Sequence, residues 1–530
     1  MINTILAILY LAAWAFYTVR FTKRSTHMLQ QNSYKNERFW GWIKSHASRA
    51  FPIRNTIGLV AVVPFLFGAE ALGLIIGFLY FLFMALTMPK LKEKKALVVT
   101  ARVKRLFITI GILFALFTAA GLLLGNTALF YTYGWLVFLT VIATILTYFI
   151  TMGANYINYP MERKISQHYV NDAERIIKSM PDLEVIGITG SYGKTSTKHM
   201  LETVLSSEFN TLMTPESYNT PMGVTKTIRT MLKPYHEIFI AEMGAKRPGD
   251  IEEICDIVHQ RYGVLTAVGE QHLETFKTLD NIKKTKFEIV ETLPQEGTAF
   301  VNKDDENIMS YEQQNQCRTI YYGIDAEDLH YRAKNIGYSS KGTTFTVVKY
   351  DGTTAEIQTK LLGRHNIYNI LAAVAIGSEK GISFEKIARA LRKAQPVEHR
   401  LELKKTNGNI TIVDDSFNSN PVGSKMAMEV LSHMPEYKIA ITPGMIELGE
   451  KEYELNKALG TYMADACDFI ILVGKKQTVP LQDGLKEKNY PEEQLYVASD
   501  LQDALAKMNE IATQPSVVLL ENDLPDSFNE

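Results

Sequence analysis

At 530 residues the chain is long enough for several domains. Its 56 basic and 57 acidic side chains nearly cancel, so no net charge advertises nucleic acid as a partner. Three cysteines, Cys255, Cys317 and Cys467, stand far apart with no CxxC spacing, which excludes a disulfide framework and a cysteine zinc site and fits a reducing compartment.

Residues 2–20 are apolar up to the final Arg20. A second apolar region, Ile57 to Met88, is interrupted by Pro64 and by "FGAEALG", and reads as a helical hairpin with Glu70 at the turn. A third runs from Leu106 to Gly125 and a fourth from Ala128 to Met152. A bilayer core takes about 20 apolar residues per helix, so residues 1–152 read as a transmembrane domain of about five helices. Four helices plus a re-entrant piece is the alternative, because the segment before Pro64 is short. Basic residues crowd two loops: Lys23, Arg24, Lys35, Arg38, Lys44, Arg49 and Arg54, then Lys90, Lys92, Lys94, Lys95, Arg102, Lys104 and Arg105. Basic loops stay inside, which puts everything after Met152 in the cytoplasm of a multi-pass membrane protein. Charges follow the first span rather than precede it, so it does not read as a cleavable signal. "NERFWGWIKSHA" (36–47) reads as an interfacial helix with Trp40 and Trp42 at the surface, or as a plain loop.

Residues 153–182 read as a linker helix. Leu183–Thr189 is a short apolar run rich in β-branched residues, hence a buried strand. A glycine loop follows, and "KTSTKHMLETVL" has helical spacing. "EIFIAEMG", "GVLTAVG", "GTAFVN", "ITIVDD", "YKIAITPG" and "FIILVGK" are further short strands with helical segments between many of them. The pattern predicts a mostly parallel, doubly wound α/β fold twice over: a central domain, 183–395, and a C-terminal Rossmann-like domain, 396–530, divided near Pro396. Residues 319–363 alternate apolar and polar and read as a local β-rich insert.

Gly190-x-x-Gly193-Lys194-Thr195 carries a mechanism. Glycines let backbone N–H groups face phosphate oxygens, and the following helix presents its positive end. Lys194 can reach the β- and γ-phosphates, and the Thr195 hydroxyl can hold Mg²⁺. Ser191 and Ser196 complete this candidate nucleotide loop. The commoner GxxxxGK[ST] spacing would need glycine at Ile188, so this is a P-loop variant.

"TGSYGKTSTK" (189–198) resembles the Mur ligase family of ATP-dependent amide-bond-forming enzymes. "YNTPMGVTKTI" (218–228), "IAEMGAKRPGDI" (240–251), "EQHLETFKTLDNIKKTKFEI" (270–289), "VNKDD" (301–305), "LLGRHNIYNILAAVA" (361–375), "PVEHRLEL" (396–403), "VDDSFNSNP" (413–421) and "GMIELGE" (444–450) continue the likeness in order. It is strongest for the branch that adds D-alanyl-D-alanine to UDP-N-acetylmuramoyl-tripeptide in peptidoglycan synthesis. The resemblance implies that a substrate carboxylate takes the γ-phosphate of ATP, and that an amino acid or dipeptide amine then displaces phosphate. Two Mg²⁺ ions would neutralise the crowded oxyanions.

By the same resemblance Lys194, Glu242, His272 and Lys286 are the catalytic set, and Thr195, Glu242, His272 and Lys286 surround the metals. Imidazole is not magnesium's preferred ligand, and a lone histidine is often structural. Lys286 would be carbamylated, which turns it into an anionic oxygen donor; the crowding of Lys283, Lys284 and Lys286 reads otherwise as a solvated helix face. Asn366 and Asn369 would touch the nucleotide, although Asn366 also suits a helix N-cap. Arg400 would meet the γ-phosphate and Asp415 the ribose, with Asn418 and Asn420 orienting the amine.

Two departures stand out. The family's UDP-sugar-binding N-terminal domain has no room in the 30-residue linker ahead of the loop. The branch's "KGSR" stretch is replaced by "VVLLENDLPDSFNE" (517–530), a strand followed by the acids Glu521, Asp523 and Asp526. The acceptor carboxylate is therefore expected on a muramoyl peptide, UDP-linked or lipid-linked at the membrane lipid surface. Rival readings are a polyglutamate-type ligase, a membrane P-loop ATPase transporter or sensor, and a scaffold with an inactive ligase domain. No "LSGGQ" signature supports the transporter, and the spans lack paired intramembrane charges.

Overall fold

The computed structural model describes residues 2–89, 96–125, 132–216, 218–269, 276–339, 342–395, 401–405, 409–416, 419, 421–446, 448 and 451–522. The chain divides into two units, Met1–His168 and Tyr169–Glu530.

The first unit is helical. Its long elements are Ile2–Gln31, a 3-10 stretch Ile53–Val62 that runs into Val63–Leu66, then Glu70–Leu86, Ala101–Leu124, Gly134–Ile145 and Thr147–Lys178, the last crossing into the second unit. Three segments among the described residues are long and apolar enough to cross a membrane: Ile2–Gln31, Ala47–Leu66 and Ala101–Leu124. Glu70–Leu86 has 17 residues, and the last two helices form a pair bent by 76°. The fourth apolar region is thus not the single straight span expected. Its threonines explain the break. Thr140, Thr144, Thr147 and Thr151 each donate a hydroxyl to the backbone one turn earlier, at 2.7–2.9 Å, and such back-bonding bends helices. Pro64, with no N–H to give to the preceding turn, stands just after the 3-10 stretch ends.

Residues 36–45 form a short helix rather than a loop. Phe39 and Ile43 are buried, and the Trp42 ring stacks on Tyr148 with centroids 5.8 Å apart. Ala128, where the fourth apolar region starts, and the basic residues Lys90, Lys92, Lys94 and Lys95 lie outside the described residues.

The second unit holds two sheets. The first comprises β1 (Glu184–Thr189), β2 (Thr211–Met213), β3 (Ile238–Glu242), β4 (Tyr262–Leu265), β5 (Thr298–Asn302), β6 (Arg318–Gly323), β7 (Tyr331–Ser339), β8 (Gly342–Lys349) and β9 (Thr354–Thr359). Their order is β2-β3-β1-β4-β5-β6-β7-β8-β9. Strands β1 to β6 pair in parallel, and β7 to β9 close the sheet as antiparallel neighbours. The stretch expected as a local insert is therefore the far edge of the main sheet, because alternation reveals a strand but not its neighbour.

Both faces are buried, as a parallel sheet requires. Ile186, Ile188, Ile238, Ile240 and Phe300 pack on one side with helices Lys194–Leu205 and Arg364–Glu379. Val185, Phe239, Ala241, Ala299 and Val301 pack on the other with helices Pro221–Met231, Asp250–Val258 and Leu279–Glu291.

The second sheet comprises β10 (Glu402–Lys405), β11 (Ile410–Asp415), β12 (Tyr437–Thr442), β13 (Phe469–Val473), β14 (Leu495–Ala498) and β15 (Ser516–Glu521). The order is β10-β11-β15-β12-β13-β14, parallel apart from β10. Cys255, Cys317 and Cys467 are all buried and unpaired.

Candidate functional site

The glycine loop joins the end of β1 to the helix Lys194–Leu205 at the carboxyl edge of the sheet, where open α/β sheets present their binding groups. The loop is pinned to the segment after β4. The Ser191 N–H donates to Ala267 O at 2.7 Å, and the Thr266 hydroxyl donates to Tyr192 O at 2.5 Å. Gly193 has φ +82°, and a Cβ there would stand 2.7 Å from Asn369 Oδ1, so both backbone and space require glycine. Lys194 folds back over the loop, its ammonium donating to Gly190 O at 2.6 Å and to Ser191 O at 3.1 Å. Ser196 lies half-buried in the first turn of the helix.

Glu242 ends β3 and is 1 % exposed. Three side chains converge on its carboxylate. The Thr195 hydroxyl lies 3.1 and 3.2 Å from its two oxygens, Asn219 Nδ2 donates to Oε1 at 3.0 Å, and Lys198 Nζ stands 2.9 Å from Oε2. The Lys198 side chain is wholly buried and also donates to Glu216 O at 2.6 Å. Sequence reasoning passed over Lys198 and Asn219. The available signal was spacing: Lys198 falls three residues after Thr195, on the same helix face.

Lys286 comes from the helix Leu279–Glu291 and is 2 % exposed. Burial, with the Lys194 ammonium beside it, pulls its pKa from 10.5 down to about 7. The lysine run divides by face. Lys284 is exposed, Lys283 reaches Ser310 Oγ at 2.8 Å, and Lys286 turns inward toward Lys194.

Asn366 and Asn369 open the helix Arg364–Glu379, which packs on the helix of the glycine loop. Asn366 does not serve as the N-cap, a position held by Gly363. It donates instead to Leu362 O at 2.8 Å, and Asn369 Oδ1 accepts from the Thr197 hydroxyl at 2.9 Å. Asp415 ends β11, and its Oδ1 accepts from the Leu401 N–H at 3.1 Å. Glu521, at the end of β15, lies directly across from it in the parallel register. His272, Arg400, Asn418 and Asn420 lie outside the described residues.

The oxygen set fits magnesium. Neighbouring oxygens around an octahedral Mg²⁺ at 2.0–2.1 Å are about 3 Å apart, which is the Thr195–Glu242 spacing. Among the described residues no three His, Cys, Asp or Glu side chains converge, so a metal here would draw its remaining ligands from phosphate, water or a modified side chain.

Comparison with known proteins agrees with this geometry. Residues 188–377 match the Mur ligase middle domain, and residues 399–521 match the Mur ligase glutamate ligase domain. A UDP-N-acetylmuramoyl-tripeptide–D-alanyl-D-alanine ligase of Bacillus subtilis is 28 % identical over 340 residues, 64 % of this chain and 72 % of the relative. The enzyme of the same name from Escherichia coli is 29 % identical over 61 % of this chain and 73 % of its own. Among solved structures, the MurF ligase of Thermotoga maritima in complex with ADP superposes with a TM-score of 0.58 at 25 % identity, covering 68 % of this chain and 80 % of that one. The two matched domains together span more than half of the sequence, and the chain belongs to the Mur ligase family, whose members are ATP-dependent peptide ligases.

Proposed function

We propose that the chain is a membrane-anchored ligase of peptidoglycan precursor synthesis, which joins D-alanyl-D-alanine to a muramoyl tripeptide at the cytoplasmic face. The observation that carries this reading is the Thr195 hydroxyl held 3.1 and 3.2 Å from the buried Glu242 carboxylate at a glycine loop whose Lys194 acts on the buried Lys286. ATP supplies the phosphoryl group, and magnesium, when bound, neutralises charge between the phosphates. The chain's own residues hold and orient. Backbone N–H groups of Gly190 to Thr195, with Ser191 and Ser196, cradle the phosphates. Lys194 leaves its carbonyl partners for the terminal phosphates. Glu242 and Thr195 offer oxygens to one metal, and Lys198 with Asn219 fixes the carboxylate that does so.

Lys286 serves as a carbamate. Only a neutral amine attacks carbon dioxide, and a lysine with a pKa of about 7 supplies one at neutral pH where an ordinary lysine does not. His272 would serve a second metal. Asn366, Asn369, Arg400 and Asp415 contact the nucleotide, and Asn418 and Asn420 the amine. The apolar helices of the first unit support a membrane anchor, and the short linker ahead of the loop supports an acceptor presented by that anchor on a lipid.

The test uses the full chain in nanodiscs with MgATP and D-alanyl-D-alanine. UDP-linked and lipid-linked muramoyl tripeptides are offered separately, with Lys194→Ala as control, and products are read by mass spectrometry. The expected result is an amide product on the lipid-linked acceptor that disappears in the control. Product on the UDP-linked acceptor alone keeps the ligase and removes the lipid. Acceptor-independent ATP turnover without product on either overturns the substrate class.

A further inference from the structure

We propose that the first unit carries an anion site, formed by Arg20, Arg24, Arg54 and Asn55, for the phosphate or diphosphate group of a membrane lipid. The proposal rests on the membrane placement argued above but not on the ligase chemistry.

Arg20 and Arg24 lie one turn apart on the helix Ile2–Gln31, and Arg54 lies in the first turn of the 3-10 stretch Ile53–Val62. The Tyr17 hydroxyl ties the two elements by donating to Asn55 Oδ1 at 2.6 Å. The charge of Arg54 acts on Tyr17, and the charges of Arg54 and Arg20 both act on Arg24. Three half-buried guanidinium groups therefore share one corner of an apolar unit.

Nothing acidic among the described residues answers them. Among the described residues none of the three forms an ion pair. The described acids of the unit are engaged or remote: Glu70 accepts from Asn3, Glu162 holds Arg105 through two bonds of 2.7 and 2.8 Å, and Glu37 is exposed on another helix, while Glu93 lies outside the described residues. Arg20 donates to Ala85 O and Arg24 to Pro89 O, carbonyls at and just beyond the end of the helix Glu70–Leu86. Those bonds use one donor each of the five on a guanidinium.

A second observation points the same way. Asn55 is 2 % exposed, and its Nδ2 has no hydrogen-bond partner among the described residues. The corner is thus rich in donors, one of them buried and unsatisfied, and poor in acceptors. An uncompensated set of this kind is costly in an apolar setting. A phosphate oxygen array is the complement, and guanidinium is the group whose planar fork fits it.

Height along the helix suits a lipid head group rather than a buried ion. Ile2 to Val19 span about 27 Å as a helix, close to a bilayer's hydrocarbon thickness, so Arg20 and Arg24 follow at the head-group level. The simpler alternative is that these arginines merely snorkel to water, as positive-inside residues do. That alternative predicts no saturable ligand and leaves the Asn55 amide unexplained.

The experiment uses the full chain in phosphatidylcholine nanodiscs, with farnesyl diphosphate as the lipid probe and inorganic diphosphate as the aqueous one. Binding is read by native mass spectrometry and by the shift in unfolding temperature. Farnesyl diphosphate is expected to bind saturably, and each of Arg20→Gln, Arg24→Gln and Arg54→Gln to weaken it about tenfold. Asn55→Leu keeps the arginines and is expected to weaken binding too. Monodisperse reconstitution into nanodiscs and an unchanged ligand-free unfolding temperature show that each variant's first unit has folded. Inorganic diphosphate binding as tightly as the prenyl probe would support the anion site but overturn its lipid source. Unchanged binding in all four folded variants, or no saturable binding by the wild type, would overturn the site. ATP binding by the second unit is unaffected in every case, so failure here is distinct from failure of the ligase reading.

Discussion

Two lysines face opposite problems at the site. Lys198 is buried against Glu242 at 2.9 Å, so its charge is answered. Lys286 is buried beside another cation, Lys194, and the attraction of Glu288 and Asp250 does not make up for that burial. Its pKa of about 7 means that the unfolded chain holds a proton which the folded chain has released between pH 7 and 10.5. Stability is then lost as pH falls from 10.5 to 7, and the loss is complete below 7. Replacing the side chain by an apolar one of similar length removes this cost. Lys286→Met is expected to unfold at higher urea at pH 7 in carbon-dioxide-free buffer, by roughly 1–3 kcal/mol, and to lose the advantage by pH 10.5. Bicarbonate is expected to stabilise the wild type and not the variant, and the variant to be inactive. Equal urea midpoints at pH 7 would mean that Lys286 finds a counter-charge in the folded chain. The sequence marked Lys286 through its motif, but not Lys198. A charge within "KTSTK" reads as solvent-facing unless the tertiary partner, Glu242 on a strand 47 residues beyond Thr195, is known.

At the scale of elements, the apolar strands bordering the glycine loop were legible because both faces of β1, β3, β4 and β5 are buried and the residues between their ends run apolar. β2 and β14 were not, being three and four residues long and only half-buried along most of their length. The bend at Leu146 was hidden because threonine counts as tolerable in an apolar span, while its hydroxyl acts on the backbone. The end of β15 illustrates a consequence of strand order. β15 lies between β11 and β12, and this brings Glu521 beside Asp415 although 106 positions separate their numbers. Ser419 and Ser424 each donate to Glu521 Oε1 at 2.6 Å. Burial, with the Asp415 carboxylate second, pushes the Glu521 carboxyl well above the usual carboxylate range. The folded chain therefore keeps a proton that the unfolded chain gives up near its ordinary pKa, and stability falls as pH rises from there through the raised value. Glu521→Gln is expected to flatten this fall, by up to about 1.4 kcal/mol per pH unit in urea titrations between pH 5 and 8. A slope unchanged in the variant would assign the proton to another group.

The whole molecule separates by its cores. The apolar cluster of the first unit gathers residues from Ala7 to Ala154, and the clusters of the second begin at Ala173. The second unit thus has its own buried interior on both faces of two sheets, which is what independent folding needs. The matched Mur ligase domains, 188–377 and 399–521, lie entirely within it. Residues 169–530 made alone are expected to unfold cooperatively and to bind ATP with an affinity within about threefold of the full chain, since every described nucleotide-loop contact is internal to them. They are not expected to ligate a lipid-linked acceptor if the first unit presents it. Activity assays on the fragment and the full chain, with matched ATP saturation, separate the two contributions. Efficient ligation of a water-soluble UDP-sugar peptide by the fragment would mean that acceptor recognition resides in the second unit. The membrane helices would then tether the enzyme without replacing the sugar-binding domain for which the linker has no room.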